Sequence, residues 1–303
     1  GEAMNPAAMD ALRAALRQAG LSESIKNSRE LSGGCIHQVV ELTLDDDSQL
    51  VAKINRDSFL ESFETEASDL AALGRTETVV VPSPLVVRAK GNFAVLLMTS
   101  IQSGRATTEA WQNFGRDLAA LHASPAGSRY GWHYDNKLGS TPQPNSWHED
   151  WIEFNAVNRL GFQLNMAVEY DRIEQFEANR IENVIARLDR LIPRRPRPSL
   201  LHGDLWSGNA LPAVSSEHST VAVIDPACSI GDGLADIAMM QLFGGFAPAC
   251  FGAYEEIAGI RLNDDAAQAA IALYQLYHVL NHVNLFGRGY AAQAMALVRS
   301  LPD

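Results

Sequence analysis

The densest chemistry in the chain lies in one run: Leu200-Leu201-His202-Gly203-Asp204-Leu205-Trp206-Ser207-Gly208-Asn209. An apolar strand end delivers His-Gly-Asp, and Asn209 follows Asp204 by five positions. Sixteen residues later a second apolar run, Val221 to Ile224, ends at Asp225. Two carboxylates and a carboxamide at strand ends suit phosphoryl transfer. One Asp, Asp204, positions an acceptor hydroxyl, while Asn209 and Asp225 hold Mg²⁺ on nucleotide phosphates. Two polar turns closing buried strands would account for the same residues, and a short motif alone does not decide.

Upstream residues add weight. Ser32-Gly33-Gly34-Cys35-Ile36 precedes a strand, where a glycine-rich turn could bring backbone N–H groups over phosphates. Taken alone, an ordinary hairpin turn is the better reading of that loop. Lys53 lies inside the apolar stretch Val51-Ala52-Lys53-Ile54, where a charge needs a partner or a phosphate. Glu66, on the next helix, supplies that partner and aims the ammonium at the phosphates. Each residue is ordinary by itself. Loop, strand Lys, helix Glu, catalytic Asp, Asn and metal Asp in this order are not.

The elements that must position these groups follow from periodicity. Leu12, Leu16 and Ala19 share one face of a helix over 8–19. Val40, Leu42 and Leu44, then Leu50, Ala52 and Ile54, alternate around the turn Asp45-Asp46-Asp47-Ser48 and predict a hairpin. A helix over 58–73 and a strand pair over 84–88 and 93–98 follow. Beyond Ser103-Gly104 helices are expected at 107–123, 147–168, 171–192, 232–244, 250–259, 264–286 and 289–300. The pattern predicts an α+β fold of two lobes. Residues 1–100 form a β-rich nucleotide-binding lobe, and 101–303 a helical catalytic and acceptor-binding lobe, with the cleft between lobes as the default ligand site.

Lys and Arg number 24 against 36 Asp and Glu, a net charge of −12. That balance argues against nucleic acid or an acidic membrane surface as partner. Three cysteines, Cys35, Cys228 and Cys250, make no disulfide framework, and the cytoplasm is the expected compartment. Two charge-free stretches, 237–254 and 266–287, carry too many polar residues to span a membrane. His278 and His282 stand four apart on a helix, but no third ligand accompanies them, so a structural role outweighs metal binding. Asn281 with His282 reads better as a polar stripe lining an acceptor pocket. Trp206, Trp147 and Trp151 could stack on sugar faces or simply be buried. Arg194-Arg195-Pro196-Arg197 reads as a solvated loop.

The Asp204-to-Asn209 spacing is that of the protein-kinase catalytic loop. The phrase from Leu201 to Asn209 resembles the signature of the fructosamine-3-kinase (ketosamine kinase) family. The resemblance spreads over nearly the whole chain, through Phe63-Glu-Thr-Glu66, Leu118-Ala-Ala-Leu-His122, Asn136-Lys-Leu-Gly139, Asp225-Pro-Ala227, Gly231-Asp232, Ala235-Asp236, Asn281-His282 and Asn284-Leu-Phe-Gly287. It implies a bilobal protein-kinase-like fold, beside aminoglycoside phosphotransferases and choline kinases. It also implies ATP and Mg²⁺ as cofactors, Asp204 as catalytic base, Asn209 and Asp225 as Mg²⁺ ligands, and Lys53 with Glu66 as the phosphate anchor. The implied reaction phosphorylates the O3 hydroxyl of a small-molecule or protein-bound ketoamine (ribulosamine, erythrulosamine or fructosamine), after which the adduct breaks down and frees the amine.

Two positions depart from the family pattern. Leu234 stands where relatives often carry an acidic residue, and Thr99 follows Met98 where they usually carry a hinge Glu. Adenine is read at Met98-Thr99 through backbone groups, so nucleotide binding is expected to survive. Two other readings stay open: a kinase of the aminoglycoside or choline type, and an inactive nucleotide-binding protein. Retention of Lys53, Asp204 and Asp225 together speaks against the second. Cys35, directly after Gly33-Gly34, becomes a redox-sensitive thiol if it faces the phosphates, or a small packing residue if it does not.

Overall fold

The structure, a computed structural model, describes residues 4–31 and 36–303. Gly33, Gly34 and Cys35, the expected phosphate loop and thiol, lie outside the described residues. In chain order come α1 (Pro6–Gln18), β1 (Ile25–Glu30), β2 (Gln38–Leu44), β3 (Gln49–Arg56), α2 (Leu60–Arg75), β4 (Pro84–Lys90) and β5 (Phe93–Thr99). Then follow α3 (Thr108–Ala123), β6 (Asn136–Leu138), β7 (Thr141–Gln143), α4 (Trp151–Phe154), α5 (Leu160–Glu169), α6 (Gln175–Ala186) and β8 (Ser199–Leu201). The remainder is β9 (Ala210–Ser215), β10 (His218–Val223), β11 (Ser229–Gly231), α7 (Leu234–Leu242), α8 (Pro248–Ala258), α9 (Asp265–Phe286) and α10 (Ala291–Ser300).

The chain divides into two compact units, Gly1–Ala106 with Leu211–Asp225, and Thr107–Ala210 with Pro226–Asp303. This differs from the expected division at 100/101, because the β9–β10 hairpin returns to the first unit. Gly104 N donates to Pro212 O at 2.9 Å and Val214 N to Gln102 O at 3.0 Å. Val80 pairs with Ala222, and Val223 N donates to Val80 O at 2.9 Å. These bonds join residues more than a hundred positions apart, which local periodicity does not report.

In the first unit five antiparallel strands run in the order β1-β2-β3-β5-β4. Both faces of the sheet are covered. Leu42, Leu44, Ala52, Ile54, Val95 and Leu97 pack on Leu12 and Leu16 of α1. Ala94, Leu96 and Met98 pack with Phe63 and Leu70 of α2. Because successive residues of a strand point to opposite faces, Lys53 falls between two α1-facing residues and projects on the α2 side. Strand β1 was not legible: its sequence, Ile-Lys-Asn-Ser-Arg-Glu, is an exposed edge held partly by Lys26–Asp47 and Arg29–Glu41 ion pairs.

In the second unit α9 is apolar around most of its circumference and is a core helix, packed by α5, α7 and α10. Among the described residues no helix is long and apolar enough to cross a membrane. The single helix expected over 147–168 is instead interrupted. Asp150 Oδ1 caps α4 by accepting from Ile152 N at 2.8 Å, and residues 155–159 wind as one π-helical turn before α5. A Cβ on Gly161 would sit 2.0 Å from the Ala156 carbonyl oxygen, so glycine is what lets the widened turn close.

His278, inside α9, is 4% exposed. Burial, helped by His282 and Arg159 and opposed by Asp236, pushes its pKa down from 6.5 to about 3. Between those values the unfolded chain binds a proton that the native protein does not. Stability is therefore full above pH 6.5 and falls as pH drops toward 3, with a slope approaching about 1.4 kcal/mol per pH unit. Urea unfolding from pH 7 to 4 should show this component, and His278→Leu should remove it; an unchanged slope in the variant would assign acid sensitivity elsewhere.

Candidate active site

Strand β8 ends at Leu201, and the loop after it is held by one buried carboxylate. Asp236, 1% exposed in α7, accepts from His202 N and Gly203 N, both at 3.0 Å. His122 Nε2 donates to Asp236 Oδ2 at 2.8 Å, and the His122 Nδ1 is 2.7 Å from the Tyr254 hydroxyl. Burial disfavours the charged form of Asp236, but the hydrogen bond and charge of His122 with the Gly203 N–H outweigh it and hold the carboxyl below its ordinary pKa. Tyr254 is pushed well up, by burial first and then by Asp236 and Asp232, so it stays a hydroxyl donor to His122.

The loop is pinned from a second side. Ala227 N donates to His202 O at 2.8 Å, and Gly203 adopts a φ of 91°. Asp204 N donates to His202 Nδ1 at 3.1 Å, and Asn209 Nδ2 donates to Asp204 O at 2.9 Å. Asp204 is thus presented from a backbone bonded on both sides, with its side chain at an intermediate level of exposure. Asn209 is buried, and its orientation gives the amide N–H₂ to Asp204 and turns Oδ1 away from it. Trp206 is 40% exposed at the edge of the loop.

In the first unit Lys53 is buried between two acids. Its Nζ lies 2.5 Å from Glu66 Oε1 and also bonds Asp225 Oδ1. Asp225 arrives at the end of β10 with a left-handed φ of 52°, its side chain 41% exposed. Burial works against the Lys53 cation, but Glu66 and Asp225 more than offset it and hold its pKa above the ordinary value. Burial raises Glu66 to about 7 despite Lys53, and its Oε2 is buried without a hydrogen bond among the described residues. One cation serves two carboxylates.

Other expected residues take different places. Met98 is buried in β5, and Thr99 N donates to Ser83 O at 2.9 Å while its hydroxyl accepts from Ser83 N at 2.8 Å. The Thr99 N–H is therefore committed within the sheet. Asn281 is 3% exposed and spent on packing: it accepts from Gln163 Nε2 at 3.1 Å and donates to Leu138 O at 3.3 Å. His282 Nδ1 is 2.8 Å from His278 O, and its ring stands against Phe243, Phe286 and Tyr290. Neither lines the small cavity beside Gly203, which Tyr277 and His278 do.

Sequence reasoning assigned no role to Asp236, His122 or Tyr254. A signal was present for Asp236: an acid inside the apolar run Leu234 to Met240 needs a partner, as Lys53 does. Gly203→Ala tests the frame they build. A Cβ there would sit 1.8 Å from the Ala227 carbonyl oxygen, whereas Gly127, with a φ of 76°, has nothing within 4 Å. Denaturant unfolding should show Gly127→Ala costing about 1 kcal/mol and Gly203→Ala at least twice that. Equal losses would mean that only the backbone angle, not the close approach, matters.

Comparison with known proteins agrees with this arrangement. A profile of the fructosamine kinase family matches residues 8–302. A candidate ketoamine kinase of Synechocystis sp. is 38% identical over 276 residues, 91% of this chain and 90% of that protein. The chloroplastic protein-ribulosamine 3-kinase of Arabidopsis thaliana is 33% identical over 98% of this chain and 89% of its own. The crystal structure of a candidate fructosamine-3-kinase from Haemophilus somnus superposes with a TM-score of 0.82 at 28% identity, covering 94% of each chain. An aminoglycoside phosphotransferase structure, at 17% identity and a TM-score of 0.61, shares the protein-kinase-like fold. With its length matched almost end to end and the Asp204 loop framed as described, the chain belongs to the fructosamine kinase family.

Proposed function

We propose that the protein is an ATP-dependent kinase that phosphorylates the O3 hydroxyl of ketoamine sugars, free or carried on protein. Family membership over residues 8–302 supports a phosphotransferase acting on an alcohol group. The observation that carries the residue roles is the fixed backbone around Asp204, bonded through His202 and Asn209. With a reference pKa of about 3.9, Asp204 is a weak base, and its main work is to orient the acceptor hydroxyl and take its proton late. Lys53, held by Glu66, is the anchor for nucleotide phosphates.

Asp225 and Asn209, taken singly, each carry the oxygen donor that a hard divalent cation takes. Asp225 brings a half-exposed carboxylate, and Asn209 an amide whose oxygen is turned away from its backbone partner. Both residues offer oxygen donors. When bound, Mg²⁺ with ATP would neutralise charge on the transferring phosphoryl group. Phosphorylation at O3 makes the sugar–amine adduct labile and frees the amine.

Asp204→Asn should abolish turnover while a non-hydrolysable ATP analogue still binds; normal ATP consumption by that variant would overturn the role of Asp204. Lys53→Met should lower kcat/KM for ATP by about 100-fold or more. ATP consumption with ribulosamine, erythrulosamine, fructosamine and aminoglycoside acceptors should be confined to the ketoamines. Turnover of aminoglycosides alone would replace the acceptor class.

A further inference from the structure

Next to Gly203 lies a cavity of about 30 Å³ walled in part by Gln143, Asn155, Arg159, Tyr277 and His278. It has room for one or two water-sized groups and not for a sugar ring. Apolar groups make up most of the lining, and its few polar groups are incompletely used. His278 Nδ1 is buried with no hydrogen-bond partner among the described residues. Arg159, 6% exposed, has no carboxylate within ion-pair distance among the described residues.

The Arg159 guanidinium instead donates to neutral oxygens: Pro144 O at 2.6 Å, Asn158 O at 3.0 Å and Asn145 Oδ1 at 2.7 Å. It lies 4.5 Å from the Phe154 ring centre and 5.6 Å from that of Tyr277. Burial lowers its pKa from the ordinary value, yet a guanidinium is not deprotonated in proteins. Asp135 acts on this cation, and Asp236 shares its cavity wall, only from beyond ion-pair distance. A buried cation without a directly paired carboxylate is costly to keep. The π-helical turn that ends at Arg159 is a feature enriched at functional sites.

We propose that Arg159 and His278 form the pocket that receives the C2 carbonyl oxygen of the acceptor, making the enzyme selective for ketoamines over the corresponding alcohols. This rests on the ketoamine-kinase reading above. Asp236 is part of the same wall, which disfavours a fully charged anion and favours an uncharged, electron-rich oxygen. The carbonyl carbon adjoins the carbon that bears O3, as Gly203 in the cavity wall adjoins Asp204 in the chain. Asp204 also acts electrostatically on the Tyr277 hydroxyl in that wall. Arg159 donates to the carbonyl oxygen, and the His278 ring, in the tautomer protonated at Nδ1, donates a second hydrogen bond. Withdrawal of electrons from the carbonyl makes the adjacent O3 hydroxyl a better proton donor to Asp204.

The test compares a ribulosamine on a blocked lysine peptide with its borohydride-reduced analogue, in which C2 carries a hydroxyl. Calorimetry with Mg²⁺ and a non-hydrolysable ATP analogue should show the ketoamine binding about 10- to 100-fold more tightly to the wild-type protein, the worth of a hydrogen bond to a charged group. Arg159→Met should bring the two affinities together, and His278→Leu should narrow the gap. Infrared spectra of the C2-labelled ketoamine on the wild-type protein should show the carbonyl stretch moved to lower frequency, a readout that needs no variant to fold. Equal affinities in the wild type, an unmoved stretch, or an undiminished ratio in Arg159→Met would each overturn the inference. If ketoamines are phosphorylated without this discrimination, the inference alone fails; if none is phosphorylated, the reading beneath it fails too.

Discussion

A single buried carboxylate, Asp236, accepts hydrogen bonds from the two consecutive backbone N–H groups that lead into Asp204. Those N–H groups lie at the end of a three-residue strand, where the ladder no longer supplies partners. Left unpaired in the interior they would each cost on the order of 1–3 kcal/mol. His122 and Tyr254, from α3 and α8, complete the support by keeping the acid ionised and oriented. Three helices therefore converge on one turn of backbone. Gly203 permits this because no side chain fits against Ala227. In the role proposed for Asp204, orienting a hydroxyl, such rigidity counts, since misplacement by about 1 Å is costly.

The Lys53 cluster obeys the same physics with the sign reversed. Burying one ammonium is tolerable only with a carboxylate at hydrogen-bond distance, and Glu66 is placed for that by packing of α2 on the sheet. Asp225, half-exposed, shares that cation with Glu66.

Much of the fold was legible. Alternation through Leu42 to Ile54 identified the central hairpin, and the strand position of Lys53 implied a partner that Glu66 supplies. The helices over 108–123 and 265–286 match the periodicity within a residue or two. What failed shares a cause. β1 carries no alternation because it is a solvated edge, and the helix break at 155–159 depends on one extra residue per turn, which shifts the apolar face only slightly. β6, β7 and β11 are three residues long, below the length at which period two can be seen, whereas the strand end at Leu201 was read from its apolar run before His202-Gly203-Asp204.

The sequence by itself determined the family, the His-Gly-Asp motif with its Asn five positions on, and the chemical identity of the groups, because these are matters of residue type and spacing along the chain. Asp204 and Asn209 lie five apart in one loop, and no distant contact was needed to associate them. Only the tertiary structure decided what surrounds them. It placed Asp225 on Lys53 by returning β9–β10 to the first sheet's unit, and it spent Asn281 on core packing. It also brought Arg159 and His278 to one cavity beside Gly203. Those outcomes depend on hydrogen bonds and steric fits between residues remote in the chain. Local patterns carry no record of them.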